Sequence, residues 1–316
     1  MTRAIWTPTV LDDDVLERSV DAPRAVEWMR EAVLAVEEGR LAAPARTFTD
    51  LGEGRLVFTT GALADEWFGY RSYDTFGIEA GEQVVVVQSA RTAQVLAVAV
   101  GSSLGQIRTG ALGGLAADVL ARPDAGTVGV IGSGSQAWRQ VWAIAGTREL
   151  DHVSIYSPTS AHAEAFARRV LDELGVSCAI VGSAEAAVRD RGIVVLATSS
   201  RAPVIEATWL APGTHVTTVG PKRQHASEFG LDLVEAASVV VTDSPAQLHA
   251  YDPPGIVATS EHAEHVRSLG AVVAGTAPGR HDDSDVTLYL SVGLAGTEVH
   301  LLHRVVTLCD QSTRQP

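Results

Sequence analysis

An apolar run, a glycine-rich turn and a helix-forming segment follow one another between Gly129 and Ala137, and this order constrains the chain more than anything else in it. Thr127 to Ile131 leads into Gly132-Ser133-Gly134-Ser135, and Gln136 to Ala145 leads away. Two closely spaced glycines let the backbone turn sharply and approach a ligand. The helix that follows presents unpaired N–H groups and the positive end of its dipole to whatever lies over the turn. A pyrophosphate suits both features, so the segment reads as a dinucleotide-binding turn. Ala137 stands where a third glycine is usual and is still small enough for close helix–strand packing. The flanking strand and helix set it apart from a bare glycine turn.

Downstream the pattern repeats. Strand-like runs at His152–Tyr156, Cys178–Val181, Gly192–Ala197, His215–Val219 and Ser238–Thr242 alternate with helical stretches, notably Ala161–Leu174. That alternation predicts a doubly wound parallel sheet with right-handed crossovers. Upstream the texture changes. Asp21-Ala22-Pro23 opens a helix in which Val26, Met29, Val33 and Val36 recur at helical spacing, and Gly39 ends it. Arg55–Thr60, Trp67–Phe76, Gln83–Gln88 and Val95–Val100, broken by Gly and Ala-Gly turns, predict a largely antiparallel sheet. Ala111–Ala121 reads as a helix stopped by Pro123-Asp124, and Thr287–Leu308 as a helix returning to the first domain.

Composition narrows the function. The 316 residues suffice for two domains with proper cores, and a formal charge of -14 repels phosphate backbones and acidic lipid. Neither nucleic acid nor membrane is expected as a partner, whereas local arginines can still hold a small anion. Cys178 and Cys309 are too few for a disulfide framework or a thiolate metal site, and no metal is expected. No apolar run approaches the ~18 residues of a membrane span, and no leader-like segment opens the chain, so the cytoplasm is the expected location.

The strand His152–Tyr156 ends in Ser157-Pro158-Thr159-Ser160 without an acid. A carboxylate there would bind the ribose hydroxyls of NAD and repel a 2′-phosphate, so its absence favours NADP(H) over NAD(H). Ser157, Thr159 and Ser160 offer hydroxyls, although a plain capped helix start uses the same residues. Three arginines, Arg46, Arg71 and Arg108, lie in segments where a planar guanidinium could grip a carboxylate through two parallel hydrogen bonds. In a chain this rich in arginine, each taken singly is better explained as a solvated surface residue.

Longer stretches carry a resemblance. Gln106-Ile107-Arg108-Thr109-Gly110-Ala111, Leu120-Ala121-Arg122-Pro123-Asp124-Ala125 and Ile131-Gly132-Ser133-Gly134-Ser135-Gln136-Ala137 resemble the ornithine cyclodeaminase/μ-crystallin family. So do Pro44-Ala45-Arg46, Ala197-Thr198-Ser199-Ser200, Trp209 to His215 and Ser291-Val292-Gly293-Leu294-Ala295. The resemblance implies an α/β fold: a Rossmann-type doubly wound domain, residues 113–287, inserted into a smaller α+β substrate-binding and dimerisation domain, residues 1–112 plus 288–316. It implies hydride transfer at the Cα of an amino or imino acid, and a homodimer. Arg46 and Arg108 would clamp the substrate carboxylate. Gly132, Ser133, Gly134, Ser135, Gln136 and Ala137 would hold the cofactor, with Thr198, Ser199 and Ser200 beside its ribose. Thr109, Val219, Ser291 and Gly293 would lie near the nicotinamide.

Two positions depart from the family pattern. Arg71 replaces a common lysine, and Lys222 of Gly220-Pro221-Lys222 stands where many members carry the acid of Gly-Ala-Asp. Cyclisation of ornithine is thereby disfavoured, because its cationic amino group would meet a cation. Lys222 is the only lysine in the chain. It is therefore a candidate proton carrier or carboxylate grip, with His225 a second acid/base candidate. The expected activity is an NAD(P)-dependent imino-acid reductase or amino-acid dehydrogenase. A non-catalytic NADP(H)-binding protein and a cyclodeaminase-like ammonia lyase are the alternatives.

Overall fold

The computed structural model describes residues 7–77 and 82–314. The Ala80-Gly81 turn expected before the third strand-like run lies outside the described residues. Contacts divide the chain into two compact units, residues 1–108 with 294–316 and residues 109–293.

The first unit is a seven-stranded sheet with helices on one face. Its strands are β1 (Thr9–Leu11), β2 (Leu41–Ala42), β3 (Thr47–Asp50), β4 (Arg55–Leu63), β5 (Trp67–Asp74), β6 (Gln83–Ser89) and β7 (Val95–Gly101). The order is β1-β7-β6-β5-β4-β2, with β3 also on β4; every pairing but β1 with β7 is antiparallel. Helix α1 (Asp13–Ser19) precedes α2 (Ala22–Glu37), whose start is capped by the Asp21 carboxylate accepting from Arg24 N at 2.9 Å. Alternation decides the faces. Val57, Leu63 and Trp67 point inward and are buried, while Phe58, Phe68 and Tyr70 point to the other side. The C-terminal helix, Thr297–Arg314, packs on α2 and on β5 to β7. Gly61 and Gly296 permit this approach, since a Cβ on Gly61 would sit 2.4 Å from the Gly296 Cα.

Helix α3 (Ser103–Leu120) carries the division between the units, and the Asp13 carboxylate caps its start by accepting from Ser103 N at 2.9 Å. The second unit then alternates β8 (Thr127–Ile131), α4 (Ser135–Ala145), β9 (His152–Tyr156), α5 (Ser160–Leu174), β10 (Cys178–Ile180), α6 (Ala184–Val188), β11 (Ile193–Leu196) and β12 (His215–Thr218). A small hairpin, β13 (Lys222–Arg223) and β14 (Ala226–Ser227), leads to α7 (Leu231–Ala236), β15 (Val239–Thr242), α8 (Pro245–His249), β16 (Arg267–Ser268), α9 (Leu269–Val273) and β17 (Thr287–Leu290). Eight strands form one all-parallel sheet in the order β10-β9-β8-β11-β12-β17-β15-β16. Both faces are covered, so successive residues of one strand enter opposite cores. Ile193 and Val195 pack with Val141, Ile144 and Phe166, and Val194 and Leu196 with Val188, Leu233 and Val234.

The structure corrects one element. Thr287–Leu308 is not a continuous helix: Thr287–Leu290 is the strand β17, and the helix starts at Thr297. Between them Gly293 (φ +94°) and Gly296 (φ +79°) adopt left-handed backbone that breaks the helix. A four-residue apolar run buried on both sides has no periodicity to declare it a strand.

Candidate functional site

The chain order leaves β8 with β9 on one side and β11 on the other, so strand succession reverses between β8 and β11. Ligands of open α/β sheets bind at the carboxyl ends of strands at such a reversal. A cavity of about 850 Å³ lies there, walled by the Gly132–Gln136 turn, by Tyr156 to Thr159 after β9, by Ala197 to Ser200 after β11, and by Val219 and Gly220 after β12. Gly132 (φ +104°) is the tight point, where a Cβ would lie 2.2 Å from the Ala197 carbonyl oxygen. Gly134 is the open one: a Cβ there meets nothing within 4 Å. It is the N-cap of α4, so the helix's first N–H groups face that space. Gln136 Oε1 is buried without a hydrogen-bond partner. An open cradle, helix N–H donors and an unsatisfied amide oxygen fit a nucleotide with its pyrophosphate over the turn.

Of the expected cofactor residues, Gly132, Ser133, Gly134, Ser135, Gln136, Ser157, Thr159, Thr198, Ser199, Ser200 and Val219 wall this cavity. Four do not. Ala137 is fully buried in the core with Val128 and Val130, where its small side chain serves helix packing. Ser160 is an exposed first residue of α5. Ser291 and Gly293 follow β17, with Ser291 N donating to the Thr218 carbonyl at 3.1 Å. The buried Asp243 carboxylate holds this segment, accepting from Val292 N and Gly293 N at 2.9 Å each.

Lys222 is not a solvated loop residue. It begins β13, is buried, and its Nζ donates to the carbonyls of Gly220 at 2.6 Å and Val219 at 3.3 Å. The ammonium is thus engaged by backbone, which offers a supporting role beside the expected one of proton carrier or substrate grip. On the other side of the same turn stands a carboxylate the sequence reading missed. Glu228, fully buried, accepts from Val219 N at 3.1 Å, Gly220 N at 2.5 Å, Thr198 N at 2.9 Å and Thr198 Oγ1 at 2.8 Å. Four donors saturate it, which makes it a brace rather than a base. His225 is exposed at the hairpin tip and does not line this cavity.

In the first unit the three expected arginines come together. Arg46 Nη1 donates to Tyr73 Oη at 3.1 Å, and the Arg71 guanidinium stacks 4.1 Å over the Tyr73 ring. Arg71 Nη1 and Arg108 Nε donate to one oxygen, Glu298 Oε1, at 2.5 and 2.7 Å. Arg71, Arg108 and Glu298 are all buried. Burial by itself would raise the Glu298 carboxyl, but Arg108 and Arg71 outweigh it and hold it at about 2. Burial pushes the Arg71 guanidinium down from its ordinary range, against the pull of Glu298. These three side chains carry two positive charges to one negative. Glu298, in the first turn of the C-terminal helix, was not legible because its partners lie 190 and 227 residues away. Thr109, also buried, follows Arg108 and accepts from Gln140 Nε2 through its carbonyl at 3.1 Å.

Among the described residues no helix is long and apolar enough to cross a membrane, and no group of three or more His, Cys, Asp or Glu could hold a metal ion. Burial pushes the Cys178 thiol up to about 11.

Known proteins resemble this chain in sequence and fold. The chain is 27% identical over 301 residues to the alanine dehydrogenase of Archaeoglobus fulgidus, covering 92% of this chain and 91% of that one. It is 32% identical over 224 residues to a Delta(1)-pyrroline-2-carboxylate reductase of Bacillus cereus, covering 68% and 67%. The structure of the Thermococcus litoralis Delta(1)-pyrroline-2-carboxylate reductase in complex with NADH and L-proline superposes with a TM-score of 0.90 at 26% identity, over 96% of this chain and 98% of that one. The model of the ornithine cyclodeaminase/mu-crystallin family matches residues 64–310, and the chain belongs to that family.

Proposed function

We propose that this protein is an NAD(P)-dependent oxidoreductase of α-imino and α-amino acids: an imino-acid reductase or, in reverse, an amino-acid dehydrogenase. One observation carries the reading. Two buried guanidiniums share a single carboxylate, and a third, Arg46, reaches them through Tyr73. A substrate carboxylate meets planar guanidinium donors there and forms charge-assisted hydrogen bonds with them. Arg46 and Arg108 hold that carboxylate, while Arg71, tied to Glu298 and Gln83, fixes the cluster. The Gly132–Gln136 turn and the loops after β9, β11 and β12 hold the nucleotide, which supplies or accepts the hydride. Glu228 and Lys222 brace the Val219–Gly220 turn from opposite sides. The relatives are named for reactions on alanine and pyrroline carboxylate, which supports the substrate class.

NADP(H) is the favoured cofactor, because among the described residues no carboxylate lines the cavity after β9. The protein works as a homodimer joined through the sheet face of the first unit that carries Phe58, Phe68 and Tyr70. The cytoplasm suits a chain in which Cys178 and Cys309 are thiols rather than a disulfide.

Reduction of Δ1-pyrroline-2-carboxylate and other α-imino acids, followed by loss of NADPH and NADH absorbance, tests the reading. Turnover of the acid but not its methyl ester is expected. Arg108→Gln should cost about 10- to 100-fold in kcat/KM. Nucleotide binding without turnover of any imino or amino acid would leave a binding protein instead.

A further inference from the structure

The loop after β9 lacks an acid, and a missing acid tolerates a phosphate without attracting one. The cavity wall contains a group that can attract it. His162, near the start of α5, lines the same cavity as Ser157 and Thr159. Among the described residues of that wall it is the one side chain able to carry a positive charge, and none is a carboxylate. Glu185, next to the lining residue Ala184, is ion-paired with Arg189.

The hydroxyls of Ser157 and Thr159 share that wall with His162. Ser133 Oγ donates to Ser157 Oγ at 2.9 Å, joining the pyrophosphate turn to the loop after β9, where the adenosine ribose of a nucleotide lies. Thr159 occupies the N-cap of α5 but makes no side-chain capping hydrogen bond, so the helix does not consume its hydroxyl. We propose that His162, with Ser157 and Thr159, forms the subsite for the 2′-phosphate of NADP(H), and that His162 sets the preference over NAD(H). The proposal rests on the nucleotide-binding reading above. The imidazole donates an N–H to the phosphate, an ionised acceptor that a 2′-hydroxyl does not offer.

The test needs no turnover. The full chain is titrated by calorimetry with 2′,5′-ADP and with 5′-AMP, and by nicotinamide fluorescence with NADPH and NADH. His162 is exposed, so His162→Ala and His162→Asp are compatible with the fold. The wild type should bind 2′,5′-ADP at least about tenfold more tightly than 5′-AMP. His162→Ala should lose most of that ratio with the 5′-AMP affinity within twofold, and His162→Asp should favour NADH. A wild-type ratio near one, or a ratio unchanged in His162→Ala, overturns the subsite while leaving the nucleotide site standing. Failure of all four nucleotides to bind overturns both together.

Discussion

Glu298 Oε1 accepts from Arg71 Nη1 at 2.5 Å while the same oxygen accepts from Arg108 Nε at 2.7 Å, so two guanidiniums converge on one buried atom. Removing that carboxylate leaves like charges facing each other in a buried site. Glu298→Gln is expected to cost about 3–5 kcal/mol of stability, the range for a broken buried ion pair, read as a shift in urea midpoint at constant slope. A loss under about 1 kcal/mol would mean that solvent screens the cluster.

Gly134 and Gly132 make a paired prediction. Gly132→Ala forces a Cβ against the Ala197 carbonyl at positive φ, so it should destabilise the fold as well as abolish nucleotide binding. Gly134→Ala meets nothing within 4 Å and should leave stability within about 0.5 kcal/mol. Its added methyl group occupies the space assigned to the pyrophosphate, so NADPH affinity should nevertheless fall at least about tenfold. Unimpaired binding by Gly134→Ala would place the pyrophosphate elsewhere.

Lys222 offers a choice between chemistry and support. As a support, Lys222→Met frees the Gly220 and Val219 carbonyls, lowers stability by about 1.5–3 kcal/mol and weakens nucleotide binding. The pH profile of kcat should keep both its limbs. Disappearance of one limb, measured in single turnovers, would restore Lys222 as a proton carrier.

Acid should unfold the protein in part through His215. Burial pushes its imidazole down to about 3, with Arg280 and Arg148 adding to the effect, while Thr287 Oγ1 and Thr217 Oγ1 lie at 2.9 and 3.2 Å from its nitrogens. Between the unfolded value of ~6.5 and about 3, the unfolded chain binds a proton that the folded chain refuses. Stability from this group is complete above ~6.5 and declines as pH falls through that window, by up to ~1.4 kcal/mol per pH unit. Denaturant midpoints of His215→Gln should depend less steeply on pH than those of the wild type. Parallel slopes would show a solvated imidazole.

The sequence disclosed the parts of this molecule that local physics determines. The Gly132-Ser133-Gly134 turn, the helix cap at Asp21 and the alternating strands were legible because each is written in neighbouring residues. β17 was not, because Thr287–Leu290 is too short and too uniformly apolar to show a period. Glu228, Asp243 and Glu298 were not either. Each acts through backbone or guanidinium groups brought to it by the fold, and an isolated acid in a sequence does not announce its donors. Arg71 was read as a substitution at a binding position, whereas its structural role became plain only beside Glu298.

The lone lysine has a practical use. An amine-directed acylating reagent meets a single side-chain target in the whole chain, and that target is 5% exposed beneath the cofactor wall. Its labelling rate, followed by peptide mass, would therefore time the spontaneous opening of the Val219–Gly220 turn. Slower labelling on adding nucleotide would report occupancy of the site without any substrate.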